Sequence, residues 1–265
     1  MNYDLDKIKD IIIQTARSVL LPRFACVERS YKKDGSVVSE ADYEMQRLLQ
    51  EQLSALYPDT VLLGEEMSAA EQEHILTSDK PIWCLDPLDG SNNFTAGVPY
   101  FSVSLALLHQ GEVKLGVVYD PVRDECFSAS KETGCQLNGE RLGIKESGLE
   151  LKQAIAIIDF KRLSKPLATR LVTEVPYASQ RSFGSVALDW CWLVKGRCQL
   201  YLHGRSNLWD YAAGQYIFTQ AGGYSCTLSG ERVFKNALQP RSAVAATDRT
   251  LFAGWSQWLG VSESK

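Results

Sequence analysis

Short apolar runs that alternate with helix-period stripes predict an α/β protein built of stacked sheet and helix layers. Three observations carry the prediction. Two amphipathic stripes open the chain. A series of short apolar runs follows, two of them joined by a brief polar connection. Later, a stretch rich in small residues ends at paired glycines, as a buried helix does.

Taken in order, residues 4–21 place Leu5, Ile8, Ile12 and Val19 at helical spacing, and Pro22 stops the run. A polar loop at residues 32–35 comes next. A second helix begins after Ser39, with Met45, Leu48, Leu49, Leu53 and Leu56 as its stripe and Tyr57-Pro58 as its end. Residues 61–63 read as a strand ending at Gly64-Glu65-Glu66, and residues 81–85 as another ending at Asp86. Residues 101–108 and 113–119 are longer strands, joined as a hairpin through His109-Gln110-Gly111-Glu112. Asn138-Gly139 marks a further hairpin, because both positions tolerate a left-handed backbone. Beyond Gly148, residues 154–158 read as a buried strand and 186–194 as a helix carrying Trp190 and Trp192. Residues 208–221 read as a helix ended by Gly222-Gly223, 243–246 as a last strand and 251–259 as a last helix. No internal repeat is visible. A soft boundary near residue 150 divides one compact unit into residues 1–150, with most of the candidate ligands, and residues 151–265, with Asp210 and the substrate-side residues.

The chain has 265 residues, 45% hydrophobic and 23% charged, enough for a sizeable core. Its net charge of -4 gives no basic footprint for direct binding of nucleic acid. The first residues carry mixed charges at helical spacing, which is not the pattern of a signal peptide, and no apolar stretch is long enough to span a membrane. The seven cysteines are odd in number and lack a C-x-x-C pair, which argues against a disulfide framework or a zinc site and for reduced thiols in a cytoplasmic protein.

The densest chemical signal is Asp86-Pro87-Leu88-Asp89-Gly90-Ser91-Asn92-Asn93-Phe94. Two carboxylates leave the end of an apolar strand around a rigid proline, so both side chains and the Leu88 carbonyl can aim at one point. Hard divalent cations prefer such oxygen ligands. Gly90 allows close backbone approach, and the amides after it can face a phosphate. Glu65 occupies a similar place past the preceding strand, and neighbouring strand ends bring such groups side by side. Asp210, in Trp209-Asp210-Tyr211-Ala212-Ala213-Gly214, falls in the first turn of a helix, where it can cap the helix or bind metal. The small residues after it form a face for close packing. Asp42 follows Ser39 as in a capping box; alternatively it orients Ser91 or a nucleophilic water.

These four segments, Ser39-Glu40-Ala41-Asp42, Gly64-Glu65-Glu66, the Asp86 string and the Asp210 string, resemble the inositol monophosphatase superfamily in order and separation. The resemblance implies an α/β/α/β/α sandwich of the inositol monophosphatase and fructose-bisphosphatase type. It implies magnesium-dependent, lithium-sensitive hydrolysis of a phosphate monoester, with two or three magnesium ions. Glu65, Asp86 and the Leu88 carbonyl would hold the first ion, Asp86, Asp89 and Asp210 the second, and a third would sit near Glu65. Asp42, Glu65 and Ser91 would be catalytic. Asp89, Gly90, Ser91, Gly184, Ser185, Val186, His203 and Asp210 would meet the substrate. A homodimer is also implied.

Two departures bear on the substrate. Ser91 stands where the superfamily usually has threonine, and the hydroxyl survives. His203 stands where its inositol enzymes carry a glutamate that contacts inositol hydroxyls. Lys161-Arg162 reads as a solvated basic loop or as a partner for a second phosphate. The expected activity is therefore on a small phosphorylated metabolite, with inositol 1-phosphate leading. 3'-Phosphoadenosine 5'-phosphate, fructose 1,6-bisphosphate and histidinol phosphate are alternatives. A different class is a regulatory protein that contacts RNA or the transcription machinery.

Overall fold

The computed structural model describes residues 3–31 and 37–261, so the polar loop expected at residues 32–35 lies outside the described residues. In chain order, α1 (Leu5–Val19) is capped by Asp4, whose side chain accepts from Lys7 N, and ends at a short turn containing Pro22. Strands β1 (Ser30–Tyr31) and β2 (Val37–Val38) form a small ribbon before α2 (Glu40–Leu56). Then come β3 (Val61–Gly64), α3 (Ala69–Leu76), β4 (Ile82–Asp89) and α4 (Ser91–Ala96). A meander follows: β5 (Ser102–His109), β6 (Glu112–Asp120), β7 (Glu125–Ser130), β8 (Gly134–Leu137) and β9 (Glu140–Arg141). The remainder is β10 (Ile155–Asp159), α5 (Lys165–Thr173), β11 (Ser179–Arg181), α6 (Val186–Val194), β12 (Leu200–Ser206), α7 (Leu208–Gln220), β13 (Tyr224–Cys226), β14 (Arg241–Ala246) and α8 (Arg249–Leu259).

The strands form a seven-stranded sheet in the order β3-β4-β5-β6-β7-β8-β9 and a five-stranded sheet in the order β11-β10-β12-β14-β13. Both expected hairpins form. Gln110-Gly111 and Asn138-Gly139 each have two positive φ angles, which match the twist of the strands they join.

Three apolar clusters account for the layering. Ile8, Ile12, Met45, Leu49 and Leu53 of α1 and α2 cover one face of the larger sheet, against Trp83, Leu85, Leu105 and Val117. Its other face, with Ala106, Val118 and Phe127, meets Trp190, Leu193, Tyr211 and Phe218 of α6 and α7. Residues of the smaller sheet alternate: Ile157, Tyr201 and Ala245 point to that helix layer, while Ala156, Ile158, Leu200 and Val244 point to Leu171, Phe252 and Trp255 of α5 and α8. The order is thus helix, sheet, helix, sheet, helix. Each such fully buried large apolar side chain contributes roughly 1.5–3 kcal/mol.

The small-residue face of α7 explains the tightness of the middle layer. A Cβ on Gly116 would lie 3.0 Å from the Ala213 carbonyl, and one on Gly214 would lie 2.9 Å from Trp190 Cβ. One expectation needs correction. The Asp86-Pro87-Leu88-Asp89 segment is not a turn past a strand end; β4 runs on to Asp89, with its pairing to β5 irregular between Asp86 and Asp89. Proline cannot donate to a ladder and is tolerated at such an irregularity. Among the described residues, no helix is long and apolar enough to cross a membrane.

Candidate active site

β3 and β4 are parallel, with Gly64 beside Leu85, and Glu65 N donates to the Leu85 carbonyl at 3.2 Å. Glu65 and Asp86 therefore stand side by side, as neighbouring strands require. The turn carrying Glu65 is pinned from two helices. Gln72 of α3 donates to the Gly64 carbonyl at 2.9 Å, and Gln46 of α2 accepts from Glu66 N at 3.2 Å.

Asp86 pairs across the sheet with Ser104, whose hydroxyl donates to the Trp209 carbonyl at 3.2 Å. That bond sets the start of α7, and hence Asp210, beside the end of β4. Asp210 Oδ2 accepts from Asn207 N at 2.8 Å in a capping box, so the capping role is present. Asp86 Oδ1 accepts from Leu88 N at 3.0 Å. Asp89 Oδ2 accepts from Ser185 Oγ and Ala187 N, each at 2.7 Å, which ties the strand to the first turn of α6.

Asp42 closes the cap and also meets Ser91. Its Oδ2 accepts from Ser39 N and Ser39 Oγ at 2.7 Å each, closing the capping box of α2. Its Oδ1 accepts from Ser91 Oγ at 2.8 Å, across 49 positions of sequence. The Ser91 hydroxyl also lies 3.0 Å from the Leu88 carbonyl. Gly90 caps α4 with φ 101°, a conformation that favours glycine, and a Cβ there would lie 3.2 Å from the Gly184 carbonyl. Asn93 Nδ2 donates to the Tyr100 and Phe183 carbonyls at 2.8 and 2.7 Å, holding the Gly184 segment against the motif.

The electrostatics follow from burying like charges together. Burial, then repulsion from Glu65, Asp89 and Asp210, pushes the Asp86 carboxyl well above its usual range. Burial and the Glu65 and Asp89 charges do the same to Asp210, with Asn207 and Arg162 opposing. Burial raises Asp89 to about 6, against the opposing hydrogen bonds of Ser185 and Ala187. Burial also raises Asp42, partly offset by Ser39 and Ser91.

The donor set fits a hard divalent cation: carboxylates and a backbone carbonyl, all oxygen, buried and mutually repelling. The fit is in chemistry rather than in finished geometry. Among the described residues, no three His, Cys, Asp or Glu side chains close around one point. The reason is local: Asp86, Asp89 and Asp210 each turn an oxygen to a donor on the protein.

The remaining candidates divide. Gly184 is exposed and Val186 half-buried, whereas Ser185 is fully buried and spends its hydroxyl on Asp89. His203 was expected at the mouth of the site but is 3% exposed. It lies on β12 beside Asp159 of β10, with Nε2 3.2 Å from Asp159 Oδ2. Lys161 and Arg162 are exposed on the turn that follows β10. Sequence reasoning missed Gln46, Gln72 and Ser104, since isolated polar residues on helices and strands carry no local signal. Asn93 lay inside the motif and was legible only as part of it. A groove of about 1340 Å³ lined by Lys114, Lys131, Tyr216 and Arg232 lies elsewhere and includes none of these residues.

A model of the inositol monophosphatase family matches residues 4–257. The chain is 33% identical over 236 residues to the fructose-1,6-bisphosphatase/inositol-1-monophosphatase of Thermotoga maritima, covering 84% of this chain and 85% of that one. It is 33% identical over 210 residues to the Nus factor SuhB of Pasteurella multocida, covering 77% and 76%. Among solved structures, an IMPase of Thermotoga maritima superposes with a TM-score of 0.81 at 29% identity, covering 96% of this chain and 95% of that one.

Proposed function

The chain belongs to the inositol monophosphatase family, and we propose that it is a magnesium-dependent phosphatase of small phosphate monoesters. The observation that carries this reading is the group of carboxylates at the ends of β3 and β4 and the start of α7, where burial and then the neighbouring charges push Asp86 and Asp210 well above their usual range. Keeping such groups together without a cation is costly. Glu65, Asp86 and the Leu88 carbonyl would hold one ion, and Asp86, Asp89 and Asp210 a second, with a third near Glu65. Bound magnesium offsets the charge of the phosphate dianion and acidifies water.

The protein's own groups supply positioning. The Ser91 hydroxyl, fixed between Asp42 Oδ1 and the Leu88 carbonyl, is placed to align a water, with Asp42 as the proton's destination. Backbone amides at Gly90 and Ser91 would bind phosphate oxygens, beside the Gly184 carbonyl that approaches Gly90. The water oxygen bonds to phosphorus as the ester P–O bond breaks; one water proton passes to Asp42, the other stays on the phosphate, and the leaving alkoxide takes a proton from solvent. Inositol 1-phosphate is the first substrate to test, and the names of relatives support fructose 1,6-bisphosphate beside it.

The relatives named Nus factor favour a second reading, a regulatory partner of the transcription machinery. One experiment separates the two. Phosphate release is measured with magnesium on inositol phosphates, sugar phosphates, nucleotide bisphosphates and histidinol phosphate. Turnover of any of them, competed by lithium, supports the phosphatase. No turnover, together with stable capture of a transcription partner, rejects it. A homodimer and a reducing, cytoplasmic setting belong to the same proposal; seven cysteines with no C-x-x-C pair, six of them buried, support the second.

A further inference from the structure

One more buried carboxyl lies within reach of the Asp89 charge and takes no part in the cluster. Asp189, in the first turn of α6, is 4% exposed, and Tyr100 Oη donates to its Oδ1 at 2.9 Å. Among the described residues no cation pairs with it, and Tyr100 supplies its side-chain hydrogen bond. Burial pushes Asp189 well above its usual range against that bond, and the charges of Asp89 and Asp159 add to the rise. A buried carboxyl held by one neutral hydroxyl is costly, and two apolar side chains would fill the same place at less cost.

What the pair does follows from the chain around it. Tyr100 stands just before β5, and its ring stacks on Phe183 with centroids 4.8 Å apart. Asn93 joins the same two residues by donating to both of their carbonyls. Ser185, the cap of α6, donates to Asp89 and lies 3.2 Å from Ser102 Oγ. Gly184, with φ 90°, spans the gap between these two fixings. Asp189 comes one helical turn after Ser185, and its N donates to the Ser185 carbonyl. A helix tied at its cap alone can pivot; tied again one turn later, it cannot. The Tyr100 ring also meets Trp192 edge-on at 4.9 Å, but ring contacts tolerate sliding, whereas a hydrogen bond fixes direction.

We propose that Tyr100 and Asp189 are positioning residues: their buried bond sets the turn of α6 that presents Gly184, Ser185 and Val186 to the substrate. Neither touches the substrate. What counts is the donor on Tyr100 and an acceptor oxygen at position 189, not the charge of the carboxyl. The inference rests on the phosphatase reading above.

The test measures kcat and KM of the full chain with magnesium, on the ester of the panel above that wild type hydrolyses fastest, beside a melting curve. Tyr100→Phe keeps the ring and removes the bond. It should raise KM about fivefold, the scale of one net hydrogen bond, and leave kcat within about twofold. Asp189→Asn keeps an oxygen that accepts from Tyr100 and should keep the wild-type KM. Asp189→Leu should match Tyr100→Phe, and the two together should be no worse than either alone. If Tyr100→Phe fails to fold because it orphans a buried carboxyl, the Tyr100→Phe/Asp189→Leu double variant carries the same expectation. A wild-type KM in the variants that lack the bond, whatever their Tm, makes the pair a structural tie, overturning the inference and leaving the phosphatase standing. A fall in kcat at constant KM overturns it equally, and so does a KM in Asp189→Asn as high as in Asp189→Leu. No hydrolysis of any ester by wild type overturns the phosphatase reading along with it.

Discussion

The two sheets bring opposite chemistry to the same carboxylate cluster. From the seven-stranded sheet come Glu65, Asp86 and Asp89; the two aspartates are buried, and each has an oxygen tied to a backbone donor within a few residues or on α6. From the five-stranded sheet come Asp159 and His203, locked on each other, with Lys161, Arg162 and Arg205 exposed around them. Asp210 stands where they join, at the start of the helix after β12. The anionic side is rigid and desolvated, which suits a fixed demand such as a cation. The cationic side is solvated and adjustable, which suits the variable part of a substrate. On the proposed function, the carboxylate side would hold the cation and the other sheet would face the rest of the substrate.

The division is broken most severely on the anionic side. Asp89→Asn and Asp210→Asn should each lower magnesium-dependent phosphate release on the order of a thousandfold, as loss of a group that stabilises transition-state charge does. Both should fold, because the amide oxygen can still accept from Ser185 and Ala187, or from Asn207. Phosphate release beside a melting curve checks both statements; near-normal turnover in either variant rejects the assignment of metal ligands.

A smaller loss should follow from Ser91→Ala, on the order of a hundredfold in kcat, since it removes the hydroxyl joined to Asp42. Ser91→Thr keeps that hydroxyl and should keep most of the activity. Equal kcat in Ser91→Ala and wild type would leave the Asp42–Ser91 pair as a structural tie only.

Two glycines at the strand ends sharpen the comparison through stability. In Gly204→Ala the new Cβ meets the Arg162 backbone, which cannot step aside, and the basic loop must shift. The expected cost is about 1–3 kcal/mol. In Gly64→Ala the clash is with the end of the Gln46 side chain, which can swing away at the expense of its bond to Glu66 N, about 1 kcal/mol. Chemical denaturation of both variants checks the order, and a greater loss in Gly64→Ala would contradict it.

The same contrast explains what the sequence revealed. The helices α1 and α2 were legible because their stripes are local, α7 because small residues and a closing glycine pair are contiguous, and the Asp86 string for the same reason. The turn expected there proved to be an irregular strand, since only pairing with β5 keeps those residues extended. β12 was not legible: His203-Gly204-Arg205 carries loop-like residues, and its strand character comes from neighbours dozens of positions away. α3 was missed although Ser68 and Glu71 form a capping box, because its apolar face is weak. The burial of His203 depends on Asp159, a partner no spacing rule connects to it.

The smallest expected effect concerns charge without magnesium. A carboxyl whose folded pKa lies above its unfolded value holds its proton more firmly when folded, so it penalises stability as pH rises. For Asp89, raised from 3.8 to about 6, the penalty grows between those values and is complete above them. In magnesium-free buffer, Asp89→Asn should therefore melt higher than wild type at pH 7.5, by a few degrees at roughly 2–4 °C per kcal/mol. The gap should narrow toward pH 5, where Asp89 is protonated already. Added magnesium should raise the wild-type Tm more than the variant's, which keeps the proposed ligands of the first ion. A gap constant across pH would mean that the buried charge of Asp89 does not destabilise the fold.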